Sequence, residues 1–258
     1  MKLRAMSAAG LGCFVLFAMP GLALAQNIVV PNSLTNVGGG ADNGFPFNID
    51  AFGQVSMRYQ QVYASDQFSL ITSPTLITAI SFRVGSNGSS FSSTLPSMQI
   101  NLSTTGAAPD GLSTSFASNV GGDDTQVFSG SLTLSSTNTG GPPPSFDIVI
   151  SLQTPFLYDP AAGNLLMDVR NFGAGSTTQF DAVFVNGDSV SRVSTFNTSV
   201  NSSTADFSDT LGLVTQFSFA AVPEPTTWAL IGVCTVGTGA FTWNRRRKNI
   251  KNRFAKKK

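Results

Sequence analysis

Histidine is absent from all 258 residues, and the two cysteines, Cys13 and Cys234, both lie near the chain ends. The long middle of the chain, residues 26–220, therefore has neither. It also has no lysine and no glutamate. These gaps exclude most catalytic machinery. A Ser-His-Asp or Cys-His arrangement cannot be built, and neither can a Ser-Lys pair or a Schiff base. Disulfides are excluded as well, so packing must hold the middle together. Its length is ample for one domain. Paired aspartates are the remaining route to acid–base chemistry. Aspartates on Asn/Gly-rich turns are, however, far more often turn formers. The sequence reads as non-enzymatic, with no catalytic residues, no cofactor and no dedicated metal site.

Positive charge is equally scarce in the middle. Only Arg58, Arg83, Arg170 and Arg192 face thirteen aspartates there, a net charge of −9. A nucleic-acid-binding domain would show the opposite balance, so no nucleic-acid partner is expected. The other basic residues sit at the two ends. Lys2 and Arg4 open the chain, and nine more follow Trp243. Basic clusters next to apolar runs speak of membranes.

Residues 1–25 read as a secretory signal peptide. Lys2 and Arg4 form its charged region, Ser7 to Met19 its short apolar stretch, and Pro20-Gly21 breaks that stretch. Ala23 and Ala25 then give the small-x-small pattern that signal peptidase accepts, with cleavage expected before Gln26. The apolar stretch is too short for a comfortable membrane span. Cys13 lies inside it rather than after it, which argues against a lipoprotein.

The opposite end is tripartite. Val222-Pro223-Glu224-Pro225 precedes Thr226 to Trp243, eighteen residues without a charge. As a helix this stretch would reach about 27 Å, close to the hydrocarbon thickness of a bilayer. Trp228 and Trp243 bracket it, where interfacial aromatics belong. Arg245, Arg246, Arg247 and Lys248 follow as a stop-transfer cluster, and residues 249–258 continue as a basic tail. The positive-inside rule keeps these cations cytoplasmic and everything before Thr226 outside. The signal peptide demands the same orientation independently.

Between the ends the pattern is that of strands. Phe146, Ile148, Ile150 and Leu152 fall on one face, with Asp147, Val149 and Ser151 on the other. So do Leu76, Thr78, Ile80 and Phe82; Met98, Ile100 and Leu102; Leu165, Met167 and Val169; and Leu213, Thr215, Phe217 and Phe219. Turn clusters separate these runs at 85–88, 108–111, 140–144 and 186–188. Residues 26–50 read as a first strand followed by a loose Gly/Asn-rich lead-in. The expected fold is all-β, a β-sandwich or jelly roll over 26–220, followed by one C-terminal transmembrane helix. Two binding readings remain for the body. Gly121-Gly122-Asp123-Asp124, Asp159 and Asp168 could offer oxygens to calcium. Tyr59, Tyr63 and Tyr158 could line a sugar-binding face, although strand aromatics are more often core.

The tail resembles the PEP-CTERM family of exosortase substrates. The resemblance rests on Val222-Pro223-Glu224-Pro225, the apolar span and Arg245-Arg246-Arg247, and covers residues 221–248. Glu224 is the only glutamate in the chain. Residues 249–258 make a longer tail than the family usually carries. Segments such as 57–63, 128–136, 146–160 and 163–171 also resemble the β-rich bodies of PEP-CTERM proteins. The resemblance implies a bacterial surface or extracellular-matrix protein, held first in the inner membrane and then processed by exosortase to the cell surface or beyond. It also implies an association with exopolysaccharide. Its implied partners are signal peptidase, exosortase and the membrane. The alternative is a carbohydrate- or calcium-binding module on the same anchor.

Overall fold

A computed structural model of the chain describes residues 26–173, 175–196 and 198–220. The predicted transmembrane helix lies outside them. The described residues belong to one compact unit. The described residues are all-β with antiparallel pairing throughout; short 3-10 turns supply the only helix. The first strands are β1 (Gln26–Val30), β2 (Gly40–Asn43), β3 (Met57–Tyr63), β4 (Thr75–Phe82) and β5 (Phe91–Thr105). They are followed by β6 (Thr125–Ser136), β7 (Ile148–Tyr158), β8 (Asn164–Asn171) and β9 (Phe180–Phe184). The last are β10 (Val190–Ser194), β11 (Phe207–Asp209), β12 (Leu211–Leu213) and β13 (Thr215–Ala220).

These strands form a four-stranded sheet, β1-β13-β4-β7, and a six-stranded sheet, β11-β10-β3-β8-β5-β6. A small third sheet has the order β12-β9-β2. The two large sheets share one apolar core. Ile28, Ile80, Ile150 and Phe217 enter it from the first, and Tyr63, Ile100, Leu134 and Met167 from the second. Aromatic edges bridge the layers. Tyr63 meets Phe217 edge-on at 4.9 Å, and Phe68 packs against Tyr158, Phe217 and Phe219. Such pairs add about 0.5–1.5 kcal/mol each beyond the area they bury.

Three of the five predicted runs bury every residue assigned to the inner face, and the other two depart locally. Met98, Ile100, Leu102, Leu165, Met167, Val169, Leu213, Thr215, Phe217 and Phe219 are all buried. In β4 the face changes partway. The register shifts between Ile77 and Ala79, so Ile77 enters the core and Leu76 and Thr78 are only half-buried. A bulge swaps the side on which every preceding residue falls. The other departure is Phe146, which precedes β7 and stacks on the Arg83 guanidinium, 4.6 Å from its ring centre. Proline placement follows the same logic. Pro96 sits at the register shift between Leu95 and Met98, and Pro155 lies on edge strand β7.

The lead-in after β1 is not loose. Phe47 and Ile49 are fully buried, and Asn43 brackets the turn by bonding both N–H and C=O of Phe45. Nor is the outer face of β3 left to solvent, as all seven of its residues are buried. The connection between β5 and β6 folds over that face. Leu112 and Phe116 pack there with Val62, Leu166 and Val193 in a second, smaller core.

Three of the four body arginines are consumed inside this framework. Arg58 forms a two-pronged pair with Asp168, joining β3 to β8. Arg83 pairs with Asp181 at 2.7 Å, and its other nitrogens donate to the backbone carbonyls of Leu34, Thr35 and Val37. Arg192 grips Asp209 at 2.8 Å and also donates to Asn43. Removing one partner of a buried pair costs about 3–5 kcal/mol, since a bare charge stays behind. Arg83 is 1% exposed, whereas Asp209 is 29% exposed on its side chain. Arg83→Ala should therefore lower the melting temperature of the chain by on the order of 10 °C. Arg192→Ala should lower it clearly less. Thermal melts followed by circular dichroism check the order; equal losses would mean that burial of the pair does not set its worth.

Candidate functional site

The residues singled out for processing lie mostly outside the described structure: Ala23, Ala25, Val222, Pro223, Glu224, Pro225, Arg245, Arg246, Arg247 and Lys248. Gln26 is the exception. It is the first residue of β1 and sits opposite Phe219 of β13, while Ala220 sits opposite Leu76. The strand that follows the expected signal cleavage is thus hydrogen-bonded to the strand that leads toward Val222. Among the described residues no helix is long and apolar enough to cross a membrane.

The tyrosines do not form a sugar-facing surface. Tyr59, Tyr63 and Tyr158 are all 0% exposed. Their hydroxyls are spent internally, Tyr59 on Gln61, Tyr63 with Thr215 and Tyr158 on the Gly163 carbonyl. Burial pushes all three phenols well above their ordinary range. Strand aromatics with two covered faces are core, whatever their polar tips suggest.

The aspartates considered for calcium serve the fold. Asp123 accepts from the Thr104 N–H at 2.7 Å, and Asp124 accepts from the Asn101 amide at 2.9 Å. Gly121 passes so close to β5 that a Cβ there would stand 1.8 Å from the Thr104 carbonyl oxygen. This turn is stitched to a strand edge. Asp159 accepts from the Ala161 N–H, as turn aspartates do, and Asp168 is taken by Arg58. Among the described residues no three potential ligand side chains gather to hold a metal.

A cleft that the sequence did not announce lies between the segments 53–56 and 198–199. It encloses about 490 Å³ and is lined by Gly53, Gln54, Val55, Ser56, Thr198 and Ser199. One wall starts with a 3-10 turn over Asp50–Phe52 that ends at Gly53, where φ is +69°. That left-handed residue reverses the chain at little cost to glycine. The reversal leaves Phe52 43% exposed and Val55 78% exposed. The other wall is tethered by Asp206, whose carboxylate accepts from the Phe196 N–H and the Thr198 hydroxyl, both at 2.6 Å. A hydrogen bond from the Val200 N–H to Ser56 Oγ joins the walls.

Four phenylalanines on segments that lead into the cleft walls or pack against them form a row of ring contacts. Ring centres are 4.9 Å apart for Phe52 and Phe45, 6.1 Å for Phe45 and Phe196, and 5.5 Å for Phe196 and Phe207. Phe207 is 48% exposed on β11. A second hollow, about 310 Å³, is apolar and lies between Pro142–Pro144 and the Arg83–Asp181 pair. Phe146 covers the Arg83 guanidinium of that pair. No protein-family model and no curated protein matches the chain.

One acidic contact joins two of the predicted turns. Asp110 accepts from the Gly187 N–H, and Asp188 accepts from the Val190 N–H, each at 2.8 Å. The second oxygen of Asp188 is buried without a partner. Burial raises its pKa, the Val190 N–H pulls it back, and the Asp110 charge raises it further. A carboxyl with a raised folded pKa binds its proton more tightly when folded. Its ionisation therefore subtracts stability as pH rises from the ordinary value of 3.8 through the folded value. Asp188→Asn keeps the acceptor for Val190 and removes that loss. The variant should melt higher than the unchanged chain at pH 7, and the gap should close by about pH 3. Melting curves across this range test it; a gap independent of pH would exclude the titration account.

Proposed function

We propose that this chain is a noncatalytic, exported bacterial surface or matrix protein whose tail is a PEP-CTERM sorting signal processed by exosortase. On this reading signal peptidase releases residues 1–25. The body 26–220 is then held at the inner membrane by Thr226 to Trp243 before transfer to the cell surface or the surrounding polysaccharide. The tail carries the assignment. A Pro-Glu-Pro motif, an uncharged span of eighteen residues bracketed by tryptophans, and a run of three arginines stand in that order. The pairing of Gln26 with Phe219 supports it, because both processed ends would leave the body side by side at one sheet edge.

We read the body as a jelly-roll β-sandwich. The reading is supported by strand order. Set aside β2 and β9 to β12, and the chain passes through β1, β3, β4, β5, β6, β7, β8 and β13. These fall into sheets ordered β1-β13-β4-β7 and β3-β8-β5-β6. That is the interleaving of two Greek keys that makes a jelly roll. Such a body needs no disulfide, which suits an exported domain without cysteine.

The physical sense of the motif is local. Two prolines forbid regular helix, so the segment before the span stays extended, in the form that a protease grips. Replacing Pro223, Glu224 and Pro225 by Ala leaves the span and the basic cluster unchanged. The precursor should still insert in the same orientation in an exosortase-positive host, and its conversion to a smaller form should fail. Immunoblots of membrane and released fractions report this. Conversion at the normal rate would show that the motif is not the recognised element and that Thr226 to Trp243 is a plain anchor.

A further inference from the structure

We propose that the cleft between residues 53–56 and 198–199 binds an uncharged glycan chain. The argument starts from what stands exposed. Val55 lines one wall, which Phe52 immediately precedes in sequence, while Phe207 packs on Phe196, two positions before lining residue Thr198. Exposed apolar side chains in and next to a concavity suit a contact surface. The rings are fixed in place. Phe52 meets Phe45 at an interplanar angle of 67°, and Phe207 meets Phe196 at 77°. Edge-to-face packing of this kind holds each outer ring while leaving part of it to solvent. The C–H faces of sugar rings are apolar enough to lie on such surfaces, and sugar hydroxyls need short polar partners beside them. Ser56, Thr198 and Ser199 supply hydroxyls in the lining. The volume falls within the range of small-ligand sites, about 300–1,000 Å³.

Charge selects among occupants. Three of the four body arginines are locked in ion pairs, and both wall segments carry an exposed aspartate, Asp50 and Asp206. An acidic polysaccharide or an anionic lipid headgroup would meet repulsion here. A second copy would bring one body of net charge −9 against another. An uncharged glycan pays none of these penalties. The inference deepens the matrix side of the function proposed above and is independent of sorting: a chain processed normally but blind to glycans would overturn the site alone.

The test is calorimetric titration of the full chain, in a detergent without sugar headgroups, against neutral gluco-, manno- and galacto-oligosaccharides and against alginate as the acidic comparison. Tryptophan fluorescence would be uninformative, since Trp228 and Trp243 both lie in the tail. At least one neutral oligosaccharide should bind saturably, with no change on adding EDTA, and alginate should not bind. Phe52→Ala and Phe207→Ala should each weaken binding about tenfold. Val55→Asp guards against misfolding as an explanation, because a side chain 78% exposed contributes little packing. It too should weaken binding, whereas Val149→Asp on the four-stranded sheet should not. Three results would overturn the proposal: no neutral glycan binds; Val55→Asp binds as well as the unchanged chain; or Val55→Asp abolishes a dimer instead of glycan binding.

Discussion

The structure depends on how a chain with almost no cations spends the few it has. Arg58, Arg83 and Arg192 each close a contact between segments far apart in sequence. Arg83 does the most. It ends its reach on Asp181, 98 positions away, and on three carbonyls of the segment after β1. Those contacts tie an otherwise exposed segment to the buried Arg83 side chain. Arg58 acts similarly on the outer face of β3. Its partner Asp168 also accepts from Gln60, which bonds Asn119 and the Phe116 carbonyl, and the Arg58 guanidinium lies 4.5 Å from the Phe116 ring centre. The connection between β5 and β6 is thereby pinned across the sheet. In a domain without disulfides these networks fix where the long connections lie. Measured against apolar replacements such pairs add little stability, but they tolerate no loss of a single member.

Much of the strand content was legible because two-residue alternation survives in any half-buried strand. Met98, Ile100 and Leu102 could be assigned to one face from spacing alone. The β4 assignment went astray at Leu76 and Thr78 because a bulge has no signature in polarity. The lead-in within residues 26–50 looked loose because glycine and asparagine are frequent there. Yet Asn43, Phe47 and Ile49 carry the packing there, and three apolar or amide side chains suffice where the rest of the chain closes over them. The number of arginines was legible but their pairing was not, because Arg58 and Arg83 find their carboxylates 110 and 98 positions away.

The residues of the two proposals divide along the same line. On the proposed reading the processing signals are linear, so Val222 to Pro225 and Arg245 to Lys248 can be read without a fold. The cleft is not linear. Phe52 ends a 3-10 turn and Phe207 opens the short strand β11, and nothing in NIDAF or ADFSD distinguishes them from core aromatics. The one available hint is that neither phenylalanine belongs to an alternating run, so no buried strand face claims it. Conversely, Tyr59 and Tyr63 drew attention for their chemistry, and their place on a two-sided buried strand removes them from any surface.

Charge placement ties these parts together. Burying three arginines leaves Arg170, half-buried, as the body's remaining cation, against ten aspartates that form no ion pair with those three. Those acids repel one another and any anionic surface, and at physiological salt the effect reaches only about 8 Å. Buried pairs are screened far less. Salt therefore softens the repulsion on the outside while leaving the internal ties nearly intact, which favours the folded body in an ionic exterior. The same distribution denies the body an electrostatic hold on anionic lipid. On the proposed reading, retention must then come from the uncharged span and the nine basic residues beyond it, and the acidic body is free to select its ligands by shape and stacking.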